Sequence, residues 1–182
     1  MVKSTKYDEA GKSMIIQSFP LISKIKDLKV QEKVIEVWSR ICRESRLHRI
    51  ERTPVDRDDI FTLVRHTNVT AELSLTMAEK IMQEYGISIN LDNVIAIAIL
   101  HDVDQILLRK KIGNTLQATE LEKKIPHGVY GGHIALEVGL SPEIAHGIMF
   151  HRQTMEPATV EAVIVKYCDN ANFLAYSISA GW

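Results

Sequence analysis

The chain has 182 residues, 22 lysines and arginines against 23 aspartates and glutamates, and 46% apolar side chains. These values are typical of one ordinary globular domain, and a formal net charge of −1 provides no long-range field for binding a nucleic-acid polymer. The longest unbroken apolar run, residues 94–100, is far shorter than the roughly 20 residues that span a bilayer, so we expect no membrane segment. Two cysteines exclude a disulfide scaffold, and any metal site must use imidazole and carboxylate.

The amino-terminal segment is polar and has no apolar period that would bury one face. We therefore expect residues 1–19 to form a loosely ordered arm and residues 20–182 to form a single domain. The first residues also lack the apolar stretch and the small-residue cleavage site of a secretion signal. This predicts a cytoplasmic location.

Apolar residues recur at helical spacing after the arm. Residues 31–45 form an amphipathic pattern that predicts a packing helix. A longer helix is expected from near Asp58 to Gly86, with His66 on the side that faces the core. The other members of that predicted buried stripe are Val69, Leu73, Met77 and Ile81.

The next predicted helix is apolar on all sides. Asn90 is a suitable N-cap for it, and its run over residues 94–100 leads directly into His101 and Asp102. A buried strand would fit such a run equally well by period, but the cap and the alanines favour a helix. In either case the polar side chains of His101 and Asp102 directly follow a segment that is expected to be buried away from water.

Proline and serine mark the remaining helices. They are predicted over residues 126–139 and 141–151, and again from residue 157 onward. No convincing alternating strand occurs in the sequence. The predicted fold class is all-α, a compact bundle of roughly seven helices.

The histidine and aspartate at the end of the apolar helix are the main indication of chemistry. Burying an imidazole beside a carboxylate costs several kcal/mol unless a cation compensates, and a divalent metal is the simplest such cation. Further side chains that can bind metal occur on other predicted helices. They are His66 before the pair, and His127, His151 and Asp169 after it.

The order His66, then His101-Asp102, then Asp169, each on a separate helix, resembles the HD-domain superfamily of metal-dependent phosphohydrolases. The resemblance extends over about residues 57–175. It implies an HD-domain helical bundle in which these four residues bind one divalent cation.

Two further histidines lie between the HD pair and the final aspartate. In the superfamily, members with two such histidines bind a second metal, and His127 and His151 occupy that interval here. The segments 127–131 and 139–144 are similar to those of dinuclear members such as the bacterial diadenosine tetraphosphate hydrolases. The resemblance therefore implies six metal ligands.

The implied activity is hydrolysis of a phosphoester in a small phosphorylated metabolite or nucleotide, through a metal-bound hydroxide. Asp102 is expected to bridge the two cations and to be the least replaceable residue. Mixed histidine and aspartate ligands suit transition metals better than Mg or Ca, so we expect iron or manganese, with zinc, cobalt and nickel as alternatives. A dinuclear-iron oxygenase and a non-catalytic metal- or ligand-binding regulatory domain remain alternative functions, and a homo-oligomer remains open.

The chain departs from the family pattern directly after the HD pair. Many hydrolytic members continue with glycine and lysine, where the lysine contacts the substrate phosphate, whereas this chain has Asp104 and Gln105. Arg65 is our candidate for that catalytic contact, and the basic run 109–111 is an alternative. Asp104 lies about 200° around an ideal helix from Asp102, so we expect it to face away from the ligands and to be of little importance. No Gly-Tyr-Pro motif follows, which disfavours a cyclic-dinucleotide phosphodiesterase.

Overall fold

The structure is a computed structural model that describes residues 9–45, 50, 60–112, 115–152 and 156–181. The described part is mostly helical, which confirms the all-α fold class. The helices are α1 (Glu9–Ser18), a short 3-10 helix (Pro20–Lys24), α2 (Leu28–Ser45), α3 (Leu63–Tyr85), α4 (Leu91–Leu100), α5 (Gln105–Leu108), α6 (Val129–Glu137), α7 (Pro142–Phe150) and α8 (Val160–Ala180). None of the helices in these ranges is long and apolar enough to cross a bilayer.

Helix α4 is the centre of the bundle. All residues of its apolar run 94–100 are buried, and α2, α3, α7 and α8 pack around it. The Asn90 side chain accepts hydrogen bonds from two backbone N–H groups of the first turn, and the indole N–H of Trp38 donates to the Ile99 carbonyl oxygen at 3.2 Å. The prediction of a helix rather than a strand is confirmed, and the helix delivers its last residues to the interior of the bundle.

Helix α3 differs from its prediction in the side that it buries. The expected stripe is confirmed for His66, which is buried, and for Ile81, which packs against the core, but it is wrong for Val69, Leu73 and Met77, which are each more than 40% exposed. The helix begins after Thr62, which caps it, whereas Asp58 lies outside the described residues. The residues that it buries are Leu63, His66, Thr67, Thr70, Ala71, Ser74, Leu75 and Ala78. Many of these side chains are small, which lets α4 and α8 approach α3 closely.

The expected loosely ordered arm is wrong for residues 9–19, whereas residues 1–8 lie outside the described ranges. Residues 9–18 form α1, and Ile15 and Phe19 are completely buried. The Phe19 ring stacks on Trp38 of α2 at a centroid distance of 4.5 Å. This tertiary contact orders a segment whose own sequence period is weak.

A small β-ribbon follows α5, which the sequence patterns did not predict. Strand β1 (Arg109–Ile112) pairs antiparallel with β2 (Thr115–Ala118). Strands of four residues are too short for alternation to identify them. The ribbon stands beside the end of α4 and contributes Arg109 and Leu116 to the cleft described below.

Candidate metal centre

Five separate segments of the fold bring the six predicted ligands into one buried cluster. Each ligand lies at or near the end of a helix or on a buried helix face, so the backbone fixes its direction. They are His66 in the first turn of α3, His101 and Asp102 after α4, His127 before α6, His151 after α7, and Asp169 within α8. All except His127 are buried, and the His127 side chain is 15% exposed.

Three of the ligands form a first group around one point. His66, His101 and Asp169 each offer a ligand atom, and these atoms all lie within 4.8 Å of one another. His66 Nε2 lies 2.9 Å from Asp169 Oδ1 and 3.3 Å from His101 Nε2. Two imidazole nitrogens and a carboxylate oxygen at such distances are a plausible donor set for a divalent transition metal.

The other three ligands form a second group beside the first. His127 Nε2 lies 2.6 Å from Asp102 Oδ1, and His151 Nε2 lies 3.5 Å from the same oxygen. The second oxygen of Asp102, Oδ2, lies 3.5 Å from His66 Nε2 and 3.6 Å from His101 Nε2. Asp102 therefore presents one oxygen to each group.

Backbone carbonyls fix the ring nitrogen that two of the histidines offer. His101 Nδ1 lies 2.7 Å from the Ala98 carbonyl oxygen, and His151 Nδ1 lies 2.7 Å from that of Ile148. A carbonyl oxygen only accepts, so each Nδ1 bears the hydrogen and each Nε2 presents a lone pair. His151 Nε2 is buried without a hydrogen-bond partner in the described part of the chain and faces a carboxylate oxygen. Two buried acceptors facing each other require a cation between them, so these residues fit a metal ion.

The electrostatics of the cluster keep His101 neutral, whereas burial of His66 is outweighed by the hydrogen bond to Asp169 and the nearby carboxylates, which raise its pKa. Burial lowers the pKa of His101 to about 4, so its imidazole is neutral near pH 7. Burial also disfavours a charged His127, but the carboxylates of Asp102 and Asp104 outweigh that effect and raise the His127 pKa to about 10. A proton and a metal ion would compete for the same place between His127 and Asp102.

Asp104 does not face away from the cluster, and that prediction is wrong. The His127 ring lies between two carboxylates, with Nδ1 at 2.8 Å from Asp104 Oδ1. Asp104 is completely buried, and its Oδ2 accepts the backbone N–H of Gly128 at 2.9 Å and of Gly131 at 3.1 Å. Helix α4 ends at Leu100 and residues 101–104 form a turn, so the rotation of an ideal helix does not apply to Asp104, and the loop before α6 places His127 against it.

Gly128 allows that loop to approach α7. Its φ is 87°, and a Cβ added there would lie 2.7 Å from the Ile148 carbonyl oxygen. A side chain at this position would push the loop, and with it His127, away from His151. Glycine is therefore required for the second group to close.

A cleft leads from the cluster to the surface. Its floor includes His66, Asp102 and Asp169. Its walls include Phe61, Gln105, Arg109, Leu116, Arg152 and Phe173. A ligand in this cleft would contact His66 and Asp169 of the first group and Asp102 of the second, together with aromatic rings and arginines.

The arginine predicted for phosphate binding is not in the walls of this cleft. Arg65 is exposed, and its Nη1 lies 3.4 Å from the Ile60 carbonyl oxygen. Arg109 lines the cleft but is paired with Glu122 at 2.7 Å. Arg152 lines it too, 5.5 Å from the centre of the Phe173 ring, and within the described ranges it forms no ion pair with a carboxylate. Sequence reasoning missed Arg152, because its place in the cleft wall depends on packing beside Phe173, which is distant in sequence.

Comparison with known proteins agrees with this geometry. The HD domain family model matches residues 63–172. Ribonuclease Y from Roseiflexus sp. (strain RS-1) is 36% identical over 72 residues, and ribonuclease Y from Geotalea uraniireducens (strain Rf4) is 40% identical over 53 residues. These alignments cover 40% and 29% of this chain, but only 11% and 10% of the relatives.

The chain thus spans about a tenth of the length of these curated relatives. No solved structure matches it. The family model covers more than half of the chain and includes the segments that supply all six predicted ligands. The chain belongs to the HD-domain family.

Proposed function

We propose that this chain is a metal-dependent phosphohydrolase that acts on a small phosphorylated metabolite or nucleotide. The observation that supports this most directly is Asp102, which presents one oxygen to each of two buried groups of ligands. The proposed metal ligands are His66, His101, Asp102, His127, His151 and Asp169. We also propose that residues 20–182 form one domain that contains them, to which α1 also belongs because Ile15 and Phe19 pack in its core.

The two groups suit two transition-metal ions. Each group offers two imidazole nitrogens, and carboxylate oxygens complete both, without a thiolate. Iron and manganese match these ligands best, with zinc, cobalt and nickel as alternatives. When bound, such ions lower the pKa of water and offset the charge of a phosphoryl group.

The residues of this chain would perform the remaining tasks. Asp102 and Asp169 offset the positive charge of the ions, while the carbonyl contacts hold His101 and His151 with Nε2 directed inward. We expect Arg152 to bind the substrate phosphate. It would thereby replace the lysine that many family members have at the position of Gln105. The rings of Phe61 and Phe173 offer an apolar wall for the rest of the substrate.

The relatives support a nucleotide-type substrate, because they are named ribonucleases. The match covers only about a tenth of the length of these relatives, so their names do not assign cleavage of an RNA polymer to this chain. Such cleavage is a separate candidate activity. The near-zero net charge of this chain favours a small substrate over a polymer.

The decisive experiment measures metal content and turnover on the same preparation. Protein purified without chelator is analysed for metals and then assayed with nucleoside mono- and diphosphates, sugar phosphates and a short RNA, in air and under anaerobic conditions. We expect about two ions per chain and hydrolysis of a small phosphoester without oxygen. Turnover that requires oxygen would assign the oxygenase chemistry instead, and metal without any turnover would assign a regulatory domain.

The number of metal ions depends on the second group. Replacing His127 or His151 with alanine should lower the metal content from about two ions towards one per chain, because the first group keeps its three ligands. The control is His133→Ala, since His133 is exposed and outside both groups. Saturation of the unchanged protein at one ion would contradict a dinuclear site.

Arg152 should determine substrate affinity without affecting metal binding. Arg152→Ala should raise KM by about 10- to 100-fold, the value of a lost charge-assisted hydrogen bond, and leave the metal content unchanged. Arg152→Lys should restore part of the affinity. Arg65→Ala is the control and should change KM little, because Arg65 is exposed and outside the cleft walls. A larger effect at Arg65 would return the phosphate contact to the position first predicted from the sequence.

A further inference from the structure

The outer side of α8 carries no charge. Over the 21 residues Val160–Ala180, every exposed side chain is apolar or small and uncharged. The large ones are Val160, Val163, Tyr167, Leu174 and Ile178, which are 38% to 78% exposed. An exposed helix face of this length without a charged side chain is unusual for a monomer, because such faces are normally polar.

A second apolar row lies beside it on α3. Val69, Leu73 and Met77 are each more than 40% exposed, in contrast to the small residues that this helix buries. The two helices pack against each other, and the Met77 sulfur lies 4.0 Å from the Cys168 sulfur. These three residues and the five large ones of α8 together form one surface, which we call the α3/α8 face.

The α3/α8 face is separate from the metal centre. Asp169 on α8 points into the bundle, where it is 4% exposed, whereas Tyr167 is 55% exposed. Two residues along a helix correspond to about 200° of rotation, so these side chains have nearly opposite directions. The metal ligands and the cleft therefore do not explain why this face is apolar.

We propose that the α3/α8 face is the contact surface between two copies of this chain in a two-fold symmetric dimer. The exposed fractions of its eight large side chains correspond to roughly 700 Å² of accessible surface, close to the ~800 Å² per partner of a standard interface. A two-fold contact places the same patch on both sides, so it must be self-complementary. The exposed side of α8 is uncharged and satisfies this condition, and on α3 the exposed Lys80 beside the row is paired with Glu84.

A lipid surface fits the face less well. Helices that lie on membranes combine an apolar side with flanking lysines and arginines that bind anionic headgroups. Helix α8 contains one lysine, Lys166, which is half-buried, and no arginine, while on α3 the exposed cations are Arg65 near its start and Lys80, which is paired with Glu84. A second copy of the chain therefore matches the composition better than a bilayer does.

The test measures the mass of the full chain in solution by sedimentation velocity between about 1 and 100 µM. The unchanged protein should be a dimer at the upper end, whereas Tyr167→Glu and Leu174→Glu should raise the dimer dissociation constant at least about 10-fold. Leu136→Glu, a 44% exposed leucine on α6 outside the face, is the matched control and should dimerise normally. Circular dichroism and metal content should be unchanged in all three variants, which separates this result from the proposed function.

Three outcomes would overturn the dimer. The unchanged protein could be monomeric at about 100 µM, the two face variants could dimerise as tightly as the unchanged protein, or Leu136→Glu could weaken the dimer equally. Flotation with vesicles of zwitterionic and anionic lipid tests whether the face binds a membrane instead. A monomer that binds vesicles through the face, with binding lost in Leu174→Glu, would assign the face to a membrane instead.

Discussion

Asp102→Asn is expected to lose most of the bound metal and at least about 10²-fold of any hydrolytic rate, the scale on which loss of transition-state charge stabilisation acts. Burial opposes ionisation of Asp102, but the charge of His127 and the hydrogen bonds from His127 and His151 outweigh it and hold the pKa of Asp102 well below its usual range. The residue is therefore a carboxylate at neutral pH. Asparagine keeps the size, but it removes the charge and replaces one oxygen with an amide nitrogen that cannot bind a cation.

The effect should extend to both groups, because one oxygen of Asp102 faces each of them. Asp169→Asn provides the comparison, since Asp169 belongs to the first group alone. Metal analysis and calorimetric metal titration of both variants should show both ions weakened in Asp102→Asn and one ion weakened in Asp169→Asn. Retention of both ions and of activity in Asp102→Asn would contradict the bridging role.

The sequence was sufficient to predict the centre of the fold and the six side chains that cluster there. Residues 94–100 are apolar without interruption, and such a run is buried whatever its neighbours are, so the burial of His101 and Asp102 followed from local pattern alone. The remaining ligands required the resemblance to a family, because periodicity cannot show that Asp169 approaches His66 across 2.9 Å.

Helix α3 shows why hydrophobic period was not sufficient elsewhere. Its buried side contains Thr70 and Ser74, and the Ser74 hydroxyl donates to the Thr70 carbonyl oxygen at 2.7 Å. Thr70 also accepts a hydrogen bond from the Asn172 side chain of α8 at 3.1 Å. Polar groups satisfied within the bundle are buried at little cost, so a pattern that counts only apolar residues assigned the wrong side.

The same limitation applies to the residues around the ligands. Arg152 and Asp104 lie against side chains far away in sequence, Arg152 beside Phe173 in the cleft wall and Asp104 beside His127. Their roles depend on how loops are packed against helix ends. A single sequence contains no local signal for such packing.

Asp104→Asn is expected to weaken metal binding almost as much as Asp102→Asn does, but only for the ion at the second group. The Asp104 carboxylate lies 2.8 Å from His127 Nδ1, so it stabilises a hydrogen on that nitrogen and leaves Nε2 free to bind metal. In the variant, an amide N–H directed at Nδ1 would favour the other tautomer, with the hydrogen on Nε2. Directing the amide oxygen at Nδ1 instead would place the N–H₂ group against the N–H groups of Gly128 and Gly131. Binding at the second group should therefore weaken by about 10- to 100-fold, while the first group is unchanged.

Asp104→Ala separates positioning of His127 from support of α6. Alanine leaves both glycine N–H groups without their buried acceptor, so a purely structural role predicts that alanine is worse than asparagine in thermal stability and in metal binding alike. Control of the tautomer predicts a different order. Alanine should lower the melting temperature more, but asparagine should weaken the second metal more, because alanine imposes no tautomer on His127. Thermal unfolding measures the order of the two melting temperatures, and metal titration measures the order of the two affinities for the second metal. If the Asp104→Asn protein binds the second metal better than the Asp104→Ala protein, Asp104 serves only as a structural support of α6.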